Sequence, residues 1–161
     1  MNVTYSGMFA PSSVVDEAFS KMPSAESVSK LESIVLDAPQ VDLETSHVIH
    51  EGVCSRTIFI KAGTVLTGAK TNLPNICIVS GDITVTTDDG PQRMTGYHVL
   101  KASAGFKRAG YAHSDTYWTT IWTSELTDIA ELEDEMTNES SMLQTRRAGI
   151  VYEAPKALEV D

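Results

Sequence analysis

Residues 63–123 read GTVLTGAKTNLPNICIVSGDITVTTDDGPQRMTGYHVLKASAGFKRAGYAHSDTYWTTIWT, and the fold is decided there. Asp82-Ile83-Thr84-Val85-Thr86 alternates, with Ile83 and Val85 on one face and threonines on the other. That is the period of a half-buried strand. Asp88-Asp89-Gly90-Pro91 supplies hairpin-turn chemistry, and Arg93 to Leu100 returns as the paired strand. Upstream, Thr64 to Leu66 is a short strand, and the apolar run Ile76 to Val79 is expected to end at Ser80-Gly81. Downstream, Ala104-Gly105 turns the chain, and Thr116 to Thr123 (TYWTTIWT) is an aromatic and β-branched strand. Many short strands punctuated by glycine predict a mainly β chain: a small antiparallel barrel or jelly roll.

Working outward, Arg56 to Ile60 is strand-like and leads into the turn Lys61-Ala62-Gly63. Residues 41–50 (VDLETSHVIH) are strand-like too. His47 and His50 are three apart, so on a strand they face opposite ways and are expected to be edge histidines rather than shared metal ligands. Ser24 to Asp37 predicts a helix with Ser24 as N-cap and Val28, Leu31 and Val35 on one face. So short a helix has to dock its stripe on the barrel or on another subunit. Ser13 to Lys21 predicts a shorter helix stopped by Pro23. Tyr5, Met8 and Phe9 make the first ten residues either a solvated tail or an arm packing on a neighbour.

Beyond the last strand, Ser124 or Thr127 is expected to cap a helix over ELTDIAELEDEM. Ile129, Leu132 and Met136 fall on one face, with Glu131, Glu133, Asp134 and Glu135 on the rest. Two readings follow: a solvated acidic face with its stripe on the barrel, or a subunit-contact helix. Asn138 to Gln144 predicts another turn or two, and Ile150-Val151-Tyr152 a strand added to a sheet edge. The expected organisation is an N-terminal extension with short helices (1–45), a barrel (46–124), and a C-terminal helix with a tail arm (125–161).

Composition narrows the function. Hydrophobic residues make up 42% of the 161, enough for a core. Twenty-two acidic residues against twelve basic leave a net charge of −10. That disfavours nucleic-acid binding, which depends on Lys and Arg neutralising phosphates, and attachment to anionic membranes. No apolar run has the ~20 residues a spanning helix needs. The first residues lack a basic segment followed by an apolar one, so no secretory signal is expected. Cys54 and Cys77 form no CxxC and are expected as buried thiols; two distant cysteines do not make a zinc site.

The glycine skeleton of this stretch resembles the cupin superfamily, over about 60 residues. The first cupin motif opens and closes on glycines, with His-x-His and a glutamate between. Gly63 and Gly81 stand at the two glycines, Ala69 and Thr71 at the histidines, and Pro74 or Asn75 at the glutamate. In the second motif Gly96 opens and Ala102 stands at the proline. Gly105 serves as the later glycine if one residue is inserted; Arg108 then falls at the histidine and Ala112 at the asparagine. The resemblance implies a cupin fold; the residues at its ligand positions imply no metal and no cofactor. A methyl, a hydroxyl and an amide do not replace imidazoles and a carboxylate for a first-row divalent ion, and the Arg108 guanidinium repels a cation.

More closely, GDITVTTDDGPQRMTGYHVL and AGFKRAGYAHSDTYWTT, with EDEMT after them, look like small cupin-like proteins of tailed bacteriophages. That resemblance implies a virion component or an accessory protein in the host cytoplasm. The reading favoured is a non-enzymatic phage protein whose barrel is an oligomerising scaffold. Its partners would be itself, as a dimer or trimer, and other virion proteins, with no nucleic acid and no membrane. One alternative is a metal-independent enzyme or binder of an anionic sugar or carboxylate. Its pocket would use Arg108, His98, His113, Thr71 and Asn75, with Asp115 and Tyr111 near His113 as an acid–base set. The other is an inhibitor of a host protein acting through the acidic helix. No nucleophile motif or phosphate-binding glycine loop is present.

Overall fold

The computed structural model describes residues 3–9, 25–87 and 89–147. The helix expected over 13–21 and the strand expected over 150–152 lie outside them. Within them runs a mainly β architecture: β1 (Val3–Phe9), β2 (Thr45–His50), β3 (Val53–Ile60), β4 (Thr64–Ala69), β5 (Asn75–Thr87), β6 (Gly90–Ala102), β7 (Ala109–Ala112) and β8 (Thr116–Thr123). All pairings are antiparallel, in the order β1-β4-β7-β5-β8-β3-β2, with β6 on the other edge of β5.

The spine is the long β5–β6 hairpin, in register from Asn75 opposite Ala102 to Thr87 opposite Gly90. On its other edge β5 changes partner: Ile76 to Ser80 pair with β8, and Ile83 to Val85 pair with β7. The change happens at Gly81. Ser80-Gly81 therefore does not end a strand, as the sequence suggested; the two apolar runs are one strand of 13 residues that bends. Gly81 and its cross-strand partner Gly96 both have positive φ, 149° and 88°, which glycine adopts without a Cβ penalty. A Cβ on Gly81 would also fall 2.7 Å from the Thr116 Cα. The bend lets the two wings, β1-β4-β7 and β2-β3-β8, curl round one core. Ile58, Leu66, Val79, Ile83, Ala112 and Trp118 meet there, contributed by both wings and the spine. The result is a small cupin-like β fold.

Helix α1 (Ala25–Asp37) sets Val28, Leu31 and Val35 against Val65, Ala109 and Tyr111, on the outside of β4 and β7. Its stripe is thus buried on this chain's own barrel. The N-terminal region is more than short helices, because β1 pairs with β4 with a bulge between Thr4 and Ser6. The four-residue strand β7, Ala-Gly-Tyr-Ala, has no alternation long enough to be read from sequence.

Helix α2 (Ile129–Met136) is capped by Asp128, whose Oδ1 accepts from the Glu131 N–H at 3.1 Å. Ser124, one of the expected caps, instead accepts from the Leu126 N–H within the preceding turn. Leu132, Met136 and the later Leu143 are fully buried with Cys54, Ala69 and Trp122. At ~1.5–3 kcal/mol per buried side chain, this contact holds the helix across one end of the barrel. Not all of the acidic face is solvated: Glu133 is buried and accepts from Arg146 Nε at 2.9 Å. After a 3-10 turn, α3 (Gln144–Arg147) pins itself to the chain before β2. The Gln144 side chain accepts from the Leu43 N–H at 3.0 Å and donates to the Val41 carbonyl at 2.8 Å. No helix among the described residues is long and apolar enough to cross a membrane.

Candidate functional site

The end of the barrel that α2 covers carries an open cleft of about 490 Å³, lined by Lys70, Thr71, Asn72, Ala104, Gly105, Asn138 and Glu139. Three segments make it. The β4–β5 loop and the β6–β7 loop are stitched together by Thr71, whose N–H donates to the Phe106 carbonyl at 3.3 Å and whose carbonyl accepts from Gly105 at 2.7 Å. The segment after α2 is tied to the first loop. Asn72 N–H donates to the Met136 carbonyl at 2.7 Å, Thr137 Oγ1 to the Lys70 carbonyl at 2.7 Å, and Lys70 N–H to the Glu139 carboxylate at 2.8 Å. The buried Lys107 ammonium completes the clamp, pairing with Glu139 at 3.0 Å and with Glu32 of α1 at 2.8 Å. Lys107 is therefore an internal tie between both extensions, not part of a basic surface.

Thr71 lines this cleft; Arg108 is not one of its lining residues. The Gly68 N–H donates to the Arg108 carbonyl at 2.8 Å, and the Arg108 guanidinium lies 5.2 Å from the centre of the Phe106 ring. Thr71 Oγ1 is buried without a hydrogen-bond partner. Asn75 points into the barrel, donating to the Leu73 carbonyl and accepting from the Cys77 thiol at 3.2 Å. The side chains at the positions that the cupin resemblance would give to a metal, Ala69, Thr71, Pro74 or Asn75, and Arg108, offer at most one hydroxyl, one amide and a permanent cation. That set does not fit a first-row divalent ion. Among the described residues no three of His, Cys, Asp and Glu converge as ligands.

The other two histidines proposed for the pocket stand apart from it. His98 pairs with Val79 on the spine, and its Nε2 contacts the Thr95 carbonyl at 2.9 Å. His113 sits beside the Gly81 bend, 2.7 Å from Thr84 Oγ1 and edge-on to Tyr111 at 4.9 Å. Asp115 does not face it; its carboxylate accepts from the Ala62 N–H at 3.0 Å.

His47, expected at an edge, lies on the edge strand β2, with its ring turned inward and buried. Inward-facing positions on neighbouring strands form transverse rows, and one row is His47, Arg56, Thr120 and Cys77. All four are buried, with His47 and Arg56 5% and 3% exposed. Neither ring nitrogen of His47 has a hydrogen-bond partner. Burial first, and the Arg56 charge second, lower its pKa to about 4, so the ring is neutral at pH 7. A signal for the row was present: Arg56 shares strand parity with Cys54, Ile58 and Ile60, which reads as inward. Both cysteines are free and buried. Burial, then the Glu135 charge, push the Cys54 thiol up, away from the nucleophilic thiolate.

No family model matches the chain, and no curated protein matches it. Solved structures do. A cupin superfamily protein from Desulfitobacterium hafniense aligns at 12% identity and TM-score 0.44, over 58% of this chain and 87% of that one. An RmlC-like cupin family protein with a double-stranded β-helix fold from Methanocaldococcus jannaschii aligns at 14% and 0.43, over 54% and 83%. The cupin domain of an XRE-family transcriptional regulator from Enterobacter cloacae aligns at 10% and 0.43, over 52% and 98%. Each is a likeness of fold.

Proposed function

We propose that this chain is a non-enzymatic cupin-like scaffold, a structural or accessory protein of a tailed bacteriophage. One observation carries the scaffold reading: the chain lays its own helix α2 over one end of the barrel, burying Leu132 and Met136 against Cys54, Ala69 and Trp122. The donor set at the cupin ligand positions supports it. The phage setting rests on the sequence resemblance alone. Thermal-shift screening of the full chain against sugar nucleotides, organic acids and divalent ions checks the scaffold reading. The expected outcome is no movement of Tm; a saturable rise with any of them overturns it. Mass spectrometry of purified particles separates a virion component from an accessory protein.

A second reading is favoured by the mouth cleft: a binder of an anionic sugar or carboxylate. Thr71 Oγ1, buried without a partner beside Lys70, would accept or donate to such a ligand. A rise in Tm with one of those ligands that is abolished by Thr71→Val would establish it.

A further inference from the structure

The wing β6-β5-β8-β3-β2 has an outward face that nothing among the described residues covers. Register places its side chains in rows. One row runs Tyr97, Ser80, Tyr117, Phe59; the next Val99, Ile78, Thr119, Thr57; the third Lys101, Ile76, Ile121, Ser55. Tyr97, Val99, Tyr117 and Ile76 are 67%, 59%, 55% and 47% exposed. Apolar patches of this extent on a sheet mark interaction surfaces. We propose that a second copy of this chain docks here, sheet on sheet, about a two-fold axis. The inference deepens the scaffold reading and rests on it, by naming the surface through which the scaffold assembles.

Charge selects the occupant. The chain carries 22 acidic residues, yet none lies in these three rows, whose single charge is Lys101. Carboxylates begin only at the rim: Asp82 past the Gly81 bend, already paired with Arg93 at 2.7 Å, and Glu44 at the far corner. Two copies of net charge −10 repel, and they meet most easily where neither brings a carboxylate. A basic partner would find only Glu44, at the corner, to pair with. Four strands at ~4.8 Å spacing and about five residues at ~3.4 Å rise make a face roughly 19 by 17 Å in projection. That is large enough to form the centre of a standard interface of ~800 Å² per partner.

The face also carries an exposed side chain and a hollow at opposite ends of one row. Its most exposed apolar side chain, Tyr97, ends the first row on β6. At the opposite end of that row lies a cavity of about 220 Å³ lined by Glu44, Thr45, Ser46, Thr57, Phe59 and Tyr117. A two-fold axis parallel to the strands reverses the row. It lays Tyr97 of each copy over the cavity of the other, with the Glu44 carboxylate in reach of the phenol. That is the isologous pattern, in which residue i meets j and j meets i.

Sedimentation equilibrium on the full chain tests this, with circular dichroism as the check on folding. The wild type is expected at about twice its 17.5 kDa. Val99→Glu, at an exposed position, is expected to weaken association at least ~100-fold by placing a carboxylate against the partner's apolar face. Tyr97→Ala is expected to weaken it ~10-fold by emptying both cavities. A wild-type monomer overturns the proposal. So does a Val99→Glu chain that keeps its native spectrum and dimerises as before, which would put the contact elsewhere. Neither result depends on the ligand screen, so this surface and the scaffold reading fail separately.

Discussion

At the scale of single residues, two glycines and one histidine make opposing demands on the fold. Gly81 and Gly96 face each other across the β5–β6 hairpin, both at positive φ, yet their surroundings differ. A Cβ on Gly81 runs into Thr116, including its backbone, whereas one on Gly96 meets nothing within 4 Å. Gly81→Ala is therefore expected to cost upwards of ~3 kcal/mol, since main chain must move, and Gly96→Ala about 1 kcal/mol for its φ alone. Urea denaturation of the two variants measures the contrast; equal losses would mean that the bend, not the close approach, is what needs glycine. His47 sets the acid limit. Unfolded, its ring takes a proton near pH 6.5; folded, only near pH 4. The unfolded state therefore binds more protons between these values, and stability falls as pH drops through that window. The loss approaches about 3 kcal/mol at pH 4 and levels off below. In His47→Leu that part of the slope should vanish, which denaturation midpoints between pH 7 and pH 4 will show.

At the scale of elements, α2 decides whether the cup is open. Its stripe shares a buried cluster with Cys54, Ala69 and Trp122 of the strands, so the helix is expected to unfold with the barrel rather than fray from it. Leu132→Ala and Met136→Ala are each expected to cost ~2–4 kcal/mol, because each empties a fully buried position. Ile129→Ala, at a half-buried position, should cost well under half of that. Asp128→Ala should cost about 1 kcal/mol through the lost cap to Glu131. Chemical denaturation ranks these four. If the two buried positions prove no worse than Ile129, the helix is a loose lid and the closed-barrel reading of function weakens.

At the scale of the whole molecule, the net charge opposes any self-association and a face whose rows hold no carboxylate allows it. Raising salt from ~0.01 M to ~0.1 M shortens the screening length from about 30 Å to about 10 Å. Long-range repulsion between copies should then fade, and the proposed dimer is expected to tighten several-fold by sedimentation. Dissociation on adding salt would show instead that charge pairs hold the copies together.

The alternation of Ile83 and Val85, the Asp-Gly-Pro turn and the aromatic run 116–123 were enough to determine a small antiparallel β fold, because each is a local preference that its neighbours repeat. So was the docking stripe of α1, whose spacing leaves Val28, Leu31 and Val35 on one side. The tertiary structure alone decided the rest. That Gly81 bends one strand instead of ending it depends on Thr116, 35 positions away. That Arg56 and His47 share a row depends on register, which a one-residue slip would reverse. That α2 packs on its own barrel, and that three outward rows across four strands lack carboxylates, are facts of which surfaces end up opposed. Local chemistry chooses the elements, but contacts between distant residues exist only once the chain has closed on itself.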